Sequence, residues 1–201
     1  MGDQPTFTLN IDQNKYLSTD AREVHAILTV GSSGGGFTQT VPAEAAEVII
    51  IDTSGSMSGG KIREARNAAA AAVHALRDGV HFAVIAGTDK AKVVYPGGNG
   101  NLVRASPATR AEAERAIGRL LAHGGTAIGE WLKLAGHLLS AHPNAIRHAL
   151  LMTDGQNNER AEVFASVLQA WSGKFVCDSL GVGDDWVPAE LRKVAEAMLG
   201  S

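Results

Sequence analysis

Glu47-Val48-Ile49-Ile50-Ile51-Asp52-Thr53-Ser54-Gly55-Ser56 is a run of apolar, mostly β-branched residues that ends in a carboxylate followed by two hydroxyls one residue apart. Four consecutive apolar residues bounded by polar ones read as a short strand covered on both faces, as in the middle of a parallel sheet. Open α/β sheets place their ligands at the C-terminal ends of such strands. Hard divalent cations take oxygen ligands, and Mg²⁺ keeps several of its waters, so one or two carboxylates with hydroxyls suffice to hold it. Asp52, Ser54 and Ser56 are therefore candidate metal ligands supplied by a single turn.

Working outward, strand-like apolar runs alternate with helical patterns from residue 43 onward, which predicts helices on both faces of a mostly parallel sheet. After the Gly-rich turn, Lys61 to Asp78 places Ile62, Ala65, Ala69, Val73 and Leu76 on one helical face, with Gly79 suited to the C′ position. Phe82 to Ala86 reads as a second buried strand and Lys92 to Tyr95 as its edge hairpin partner. Ser106-Pro107 offers an N-cap with Pro at N1 for a helix expected to reach about Ala122. Gly124-Gly125-Thr126 interrupts the pattern, and a helix is expected from Ala127 to about Ser140. Ala149 to Met152 is a third strand, ending in Thr153-Asp154-Gly155, again an apolar run closed by a carboxylate. Glu159 to Trp171 reads as helix, Phe175 to Leu180 as the last strand and Pro188 to Leu199 as the closing helix. The expected class is α/β, a doubly wound, mostly parallel sheet of about six strands.

Residues 1–42 differ in kind from 43–201 and are expected to form a separate appendage. Phe7, Leu9 and Ile11, then Val24, Ala26, Leu28 and Val30, alternate with polar residues as two half-buried strands do, and Gly31 to Gly36 reads as a flexible linker. The 201 residues suffice for one full-sized core plus this pair. A net charge of -3 and a pI near 6.1 provide no basic footprint for nucleic acid. The single Cys177 forms no internal disulfide, and neither a signal-like N-terminus nor a long apolar span is present, so a cytoplasmic protein without a membrane segment is expected.

Three oxygen-rich points thus fall at one edge of one sheet: Asp52, Ser54 and Ser56; Thr126 beside two glycines; and Asp154. This combination resembles the von Willebrand factor type A domain, whose metal-ion-dependent adhesion site is built from D-x-S-x-S, a threonine and an aspartate. The likeness covers roughly residues 43 to 201 and is that of a bacterial, stand-alone member with a Rossmann-like fold. It implies Mg²⁺, or Mn²⁺, held directly by Ser54 and Ser56, by Thr126 directly or through water, and by Asp52 and Asp154 mostly through bridging waters. It also implies a non-enzymatic protein–protein interaction module whose open metal position accepts a Glu or Asp of a partner, such as an ATPase or an assembly complex.

Other readings compete. Gly55-Ser56-Met57-Ser58-Gly59-Gly60-Lys61-Ile62 comes within one residue of the phosphate-binding loop G-x-x-x-x-G-K-[ST], which would make a nucleotide hydrolase. Ile62 stands where a metal-holding hydroxyl is needed, and Lys61 then has the bland role of a solvated first-turn cation. A further reading is a scaffold with a structural metal that recognises partners through its N-terminal strands. His123, just before Gly124, is expected either at a helix C-terminus or on the rim of the metal face. His25, His74, His81, His137, His142 and His148 show no metal-ligand spacing and read as surface or structural groups. Cys177 is expected to behave as a small buried apolar residue. Trp131, Trp171 and Trp186 are expected in core or helix packing.

Overall fold

Eight strands, five α-helices and one short 3-10 helix follow one another along the residues described by the computed structural model, 6–13, 26–33, 43–98 and 100–201. The chain divides into two compact units, 1–42 and 43–201. In the first, β1 (Thr6–Gln13) and β2 (Ala26–Ser33) pair antiparallel, with Leu9 opposite Val30 and Ile11 opposite Leu28. The alternation correctly locates this pair, but not its burial. Within this unit a two-stranded ribbon offers no second layer, and Phe7, Leu9, Ile11, Leu28 and Val30 are exposed. Gly31 to Ser33 continue β2 instead of starting a linker. Val24, His25 and the remainder of the Gly-rich run lie outside the described residues.

The second unit is a six-stranded mixed sheet wrapped by helices. Strand β3 (Ala45–Asp52) lies between β4 (His81–Gly87) and β7 (Ile146–Thr153), parallel to both, and β8 (Val176–Gly181) extends the sheet beyond β7. On the far edge of β4, β5 (Ala91–Tyr95) and β6 (Val103–Arg104) pair antiparallel with its two halves. The two-residue β6 is too short to leave a periodic signal and completes the six strands. Val48 to Ile51 are fully buried, and their side chains alternate between two cores. Val48 and Ile50 pack with Trp131, Leu132 and Ala135 of α3 (Ile128–Ser140), whereas Ile49 and Ile51 pack with Ala65, Ala69 and Val73 of α1 (Gly60–Ala75). Burying each such side chain contributes about 1.5–3 kcal/mol, so the continuous apolar run reflects a strand with helices on both sides. Helix α2 (Pro107–Ile117) adds Ala113 and Ile117 to the α1 side. Helices α4 (Ala161–Trp171) and α5 (Pro188–Ala197) add Phe164, Val167 and Val194 to the α3 side.

Helix boundaries depart from the sequence expectation wherever a distant group intervenes. Helix α1 ends at Ala75, not Asp78, because Leu76 turns extended and its carbonyl accepts a hydrogen bond from Arg110 of α2 at 3.0 Å. Arg110 also pairs with Asp78. Helix α2 begins as expected, with a reciprocal capping box between Ser106 and Thr109, but stops at Ile117. The chain beyond it is drawn to the sheet edge, where the His123 amide donates to the Thr53 carbonyl at 2.7 Å. His123 is therefore a loop residue beside the end of β3 and not a helix C-terminal one. Gly87, at the end of β4, lies flat against Trp131, and a Cβ there would be 2.4 Å from the indole. The same indole donates to the Thr88 carbonyl at 2.7 Å. Trp131 is fully buried and Trp171 packs on Phe175 as expected, whereas Trp186 is exposed and lies over Gly181 at the end of β8 instead of entering the core. Cys177 is buried and burial pushes its thiol pKa up. No helix among the described residues is long and apolar enough to cross a membrane.

Candidate metal centre

Connections from β3 run first to β4 on one side and later to β7 on the other, so the carboxyl ends of β3 and β7 flank a topological switch point, the place where open α/β sheets bind ligands. Register sets the residues there. Asp52 stands opposite Gly87 of β4, and Ile51 opposite Met152 of β7, which brings Thr153 and Asp154 level with Asp52. Thr153 Oγ1 donates to Asp52 Oδ2 at 2.5 Å, and the Ser54 amide donates to Asp52 Oδ1 at 2.8 Å. The turn so formed places Ser54 Oγ and Ser56 Oγ 3.0 Å apart.

Backbone bonds fasten the other two loops to this one. The Gly55 amide donates to the Gly124 carbonyl at 2.9 Å, and Gly124 adopts φ +75°, a conformation that favours glycine. The Thr126 amide donates to Asn158 Oδ1 at 3.0 Å while the Asn158 amide returns a bond to the Thr126 carbonyl at 2.9 Å. All five residues singled out in the sequence therefore lie on the end of β3 and on three interlocked loops at that sheet edge: Asp52, Ser54, Thr126 and Asp154 buried, and Ser56 partly so.

Burial raises the pKa of the Asp52 carboxyl. Hydrogen bonds from Ser54 and Thr153 oppose that shift, and the charge of Asp154 reinforces it. Two carboxylates held at a dry edge call for positive charge, and Lys61 at the start of α1 supplies some. Its Nζ lies 3.0 Å from Asp154 Oδ2 and 2.6 Å from Asp185 Oδ1. Burial acts to lower the Lys61 pKa, but the bonds to Asp185 and Asp154 outweigh it and the net shift is upward. Lys61 is thus no solvated first-turn cation, and Ile62 beside it is buried in the helix face, with no hydroxyl where a phosphate-binding loop needs one.

The donor set suits a hard divalent ion. Adjacent positions of an octahedron with bonds of 2.0–2.1 Å are separated by about 2.9 Å, which the Ser54–Ser56 hydroxyl pair matches at 3.0 Å. Neutral hydroxyls in the donor set, alongside two buried carboxylates, leave room for net positive charge at the site.

Several supporting residues carry no local signal of their role. Helix α3 has Ala127 at its N-cap and no side-chain cap of its own. Its free amides are served from the loop after β7: Ile128 donates to Asn157 Oδ1 and Gly129 to Glu159 Oε2, the latter at 2.6 Å. This is why α4 starts at Ala161 instead of Glu159. The amide-rich run Gln156-Asn157-Asn158-Glu159 after Asp154-Gly155 was the available clue.

A mixed sheet of six strands with helices on both faces and oxygen donors gathered at its switch point defines an α/β domain of the Rossmann-like kind. The family model of the von Willebrand factor type A domain matches residues 46–201, and the chain belongs to that family. An uncharacterized protein of Synechocystis sp. is 32% identical over 158 residues, covering 76% of this chain and 36% of the relative. The solved structure of a von Willebrand factor type A protein from Catenulispora acidiphila is 44% identical with a TM-score of 0.80, covering all of this chain and 46% of that one. The chain thus spans less than half the length of either. Proximal thread matrix protein 1 from the mussel byssus, solved with a zinc-occupied MIDAS motif, shares the fold at 24% identity and a TM-score of 0.58, covering 76% of this chain and 39% of that one. Domains of this family are commonly metal-dependent protein-interaction modules and are typically non-enzymatic.

Proposed function

We propose that residues 43–201 form a Mg²⁺-dependent protein-binding module that captures an acidic side chain of a partner. Ser54 and Ser56 would hold the ion directly and Thr126 directly or through water, while Asp52 and Asp154 would act mainly through bridging waters. When bound, the ion supplies an electrophilic position for a Glu or Asp carboxylate. The observation that carries this reading is the Ser54–Ser56 hydroxyl pair at octahedral spacing beside two buried carboxylates. Asp52 positions that pair through the Ser54 amide, and Thr153 holds Asp52 in turn. Thr126 is brought within the same edge by the Gly55–Gly124 and Thr126–Asn158 bonds. Mn²⁺ suits the same oxygen donors.

The test is a pull-down from source-cell lysate with wild-type and Asp52→Ala bait, with Mg²⁺ or with excess chelator, alongside calorimetric titration of each bait with Mg²⁺. A partner retained by wild type in Mg²⁺, and released by chelator and by the substitution, supports the reading. Equal capture of that partner in chelator, or equal Mg²⁺ affinity of the two baits, refutes it.

A further inference from the structure

At the other end of the sheet, we propose a second metal site: Glu44, His81 and His142 form a three-ligand site for a borderline divalent ion of the zinc class. Glu44 immediately precedes β3 and His81 opens β4, so both lie at the strands' N-terminal ends, roughly 25 Å along the sheet from Asp52 at the usual rise per residue. His142 follows α3. Sixty residues separate the two histidines, so no spacing motif announces them.

Strand pairing opposite Ala46 fixes His81, and backbone bonds fix the other two. The Ile146 amide at the start of β7 donates to the Glu44 carbonyl at 2.8 Å, His142 donates to Leu139, and Ala145 donates back to His142 at 3.1 Å. Glu44 Oε1 lies 3.1 Å from His81 Nδ1 and 3.9 Å from His142 Nδ1, and the three ligand atoms all fall within 4.8 Å of one another. Tetrahedral zinc with bonds of 2.0–2.1 Å separates its ligand atoms by about 3.3–3.4 Å, so the two measured distances bracket the required edge. The imidazole rings stand 4.4 Å apart, tilted by 36°.

A second observation points to a ligand. His81 Nδ1 is buried and makes no hydrogen bond, even though Glu44 Oε1 is only 3.1 Å away. A buried polar atom without a partner is uncommon, and an ion between the two atoms would satisfy both. Two imidazole nitrogens with one carboxylate oxygen favour zinc-class ions over Mg²⁺ or Ca²⁺, which prefer all-oxygen shells. Three protein ligands leave a fourth position for water. Arg104 stands across from His81 in the β4–β6 pairing and places a positive charge near the site, which weakens binding of a cation.

The experiment uses the whole chain carrying Asp52→Ala, which removes the contribution of the other centre. Zn²⁺ is titrated in competition with a chromophoric chelator, and Co²⁺ is followed by visible absorption. One equivalent of Zn²⁺ is expected, with the intense Co²⁺ bands of a four-coordinate site. Since losing a group that merely supports a ligand weakens binding 10–100-fold, adding His142→Ala or Glu44→Gln is expected to lower Zn²⁺ affinity by at least about tenfold. Their circular dichroism without metal should stay unchanged. Arg104→Met should tighten binding. Unaltered Zn²⁺ affinity in both folded ligand variants, or only the weak Co²⁺ absorption of six oxygen ligands, overturns the proposal.

Discussion

Replacing Lys61 by Met should turn divalent ions from a mild stabiliser of this domain into a strong one. Lys61 Nζ is 3.0 Å from the fully buried Asp154 carboxylate, and Asp154 in turn adds to the upward shift of Asp52. Methionine keeps the length and apolar stem of the side chain while deleting the charge. A hydrogen bond to a charged group contributes about 1.5–3 kcal/mol. The bond to Asp185 adds little, since that carboxylate is exposed and screened by solvent. In chelator the variant should therefore unfold roughly 3–12 °C below wild type, at about 2–4 °C per kcal/mol for a domain of this size. Excess Mg²⁺ should return most of the difference, because deleting the ammonium that competes for Asp154 tightens the ion's Kd, and each hundredfold gain in tightness adds about 2.7 kcal/mol when the ion binds only the folded state. Differential scanning fluorimetry across a Mg²⁺ series reads both quantities. The reasoning fails if wild type and Lys61→Met melt together in chelator, or if Mg²⁺ raises both melting temperatures equally.

Other consequences follow from the packing and from the remaining charged groups. Gly87→Ala drives a Cβ into the Trp131 indole and should lower stability by about 1–3 kcal/mol, the usual effect of overpacking, as read by urea denaturation. Glu159→Ala removes the acceptor for the Gly129 amide at the start of α3 and should cost about 0.5–2 kcal/mol, as loss of a helix cap does, with amide exchange accelerating first in residues 128–130. His148 is bonded to Glu47 at 2.7 Å and to Asp178 at 3.1 Å. The bond to Glu47 raises its pKa against the opposing effect of burial, with the Glu47 and Asp178 charges and the Asp178 bond adding to the rise. A raised cationic pKa stabilises the fold fully below the unfolded value of about 6.5, and that stabilisation disappears as pH climbs through the folded value. His148→Gln should consequently destabilise the protein more at pH 5.5 than at pH 8.5 in paired thermal melts, and an equal loss at both would refute this assignment. Cys177 should resist a thiol reagent in the folded protein and react only as fast as the chain opens, which pulse labelling in a urea series measures.

Local chemistry alone made much of the architecture legible. Val48 to Ile51 announced a strand covered on both faces, because a side-chain period of two cannot bury four successive residues against a single layer. Ser106-Pro107 marked the start of α2, because a hydroxyl acceptor and a preset φ act within a few residues. Asp52, Ser54 and Ser56 were readable as a group for the same reason: one turn carries them. Tertiary structure alone decided what depended on partners far apart in the chain. Arg110 ends α1, Glu159 caps α3 and Lys61 reaches Asp154 across ninety-three residues. His81 and His142, unremarkable by spacing, meet Glu44 because parallel strands begin at one end of the sheet. Propensity, periodicity and capping are encoded within a few residues of where they act, whereas the company a charged or polar side chain keeps is set by strand order and register, which no short window of residues contains.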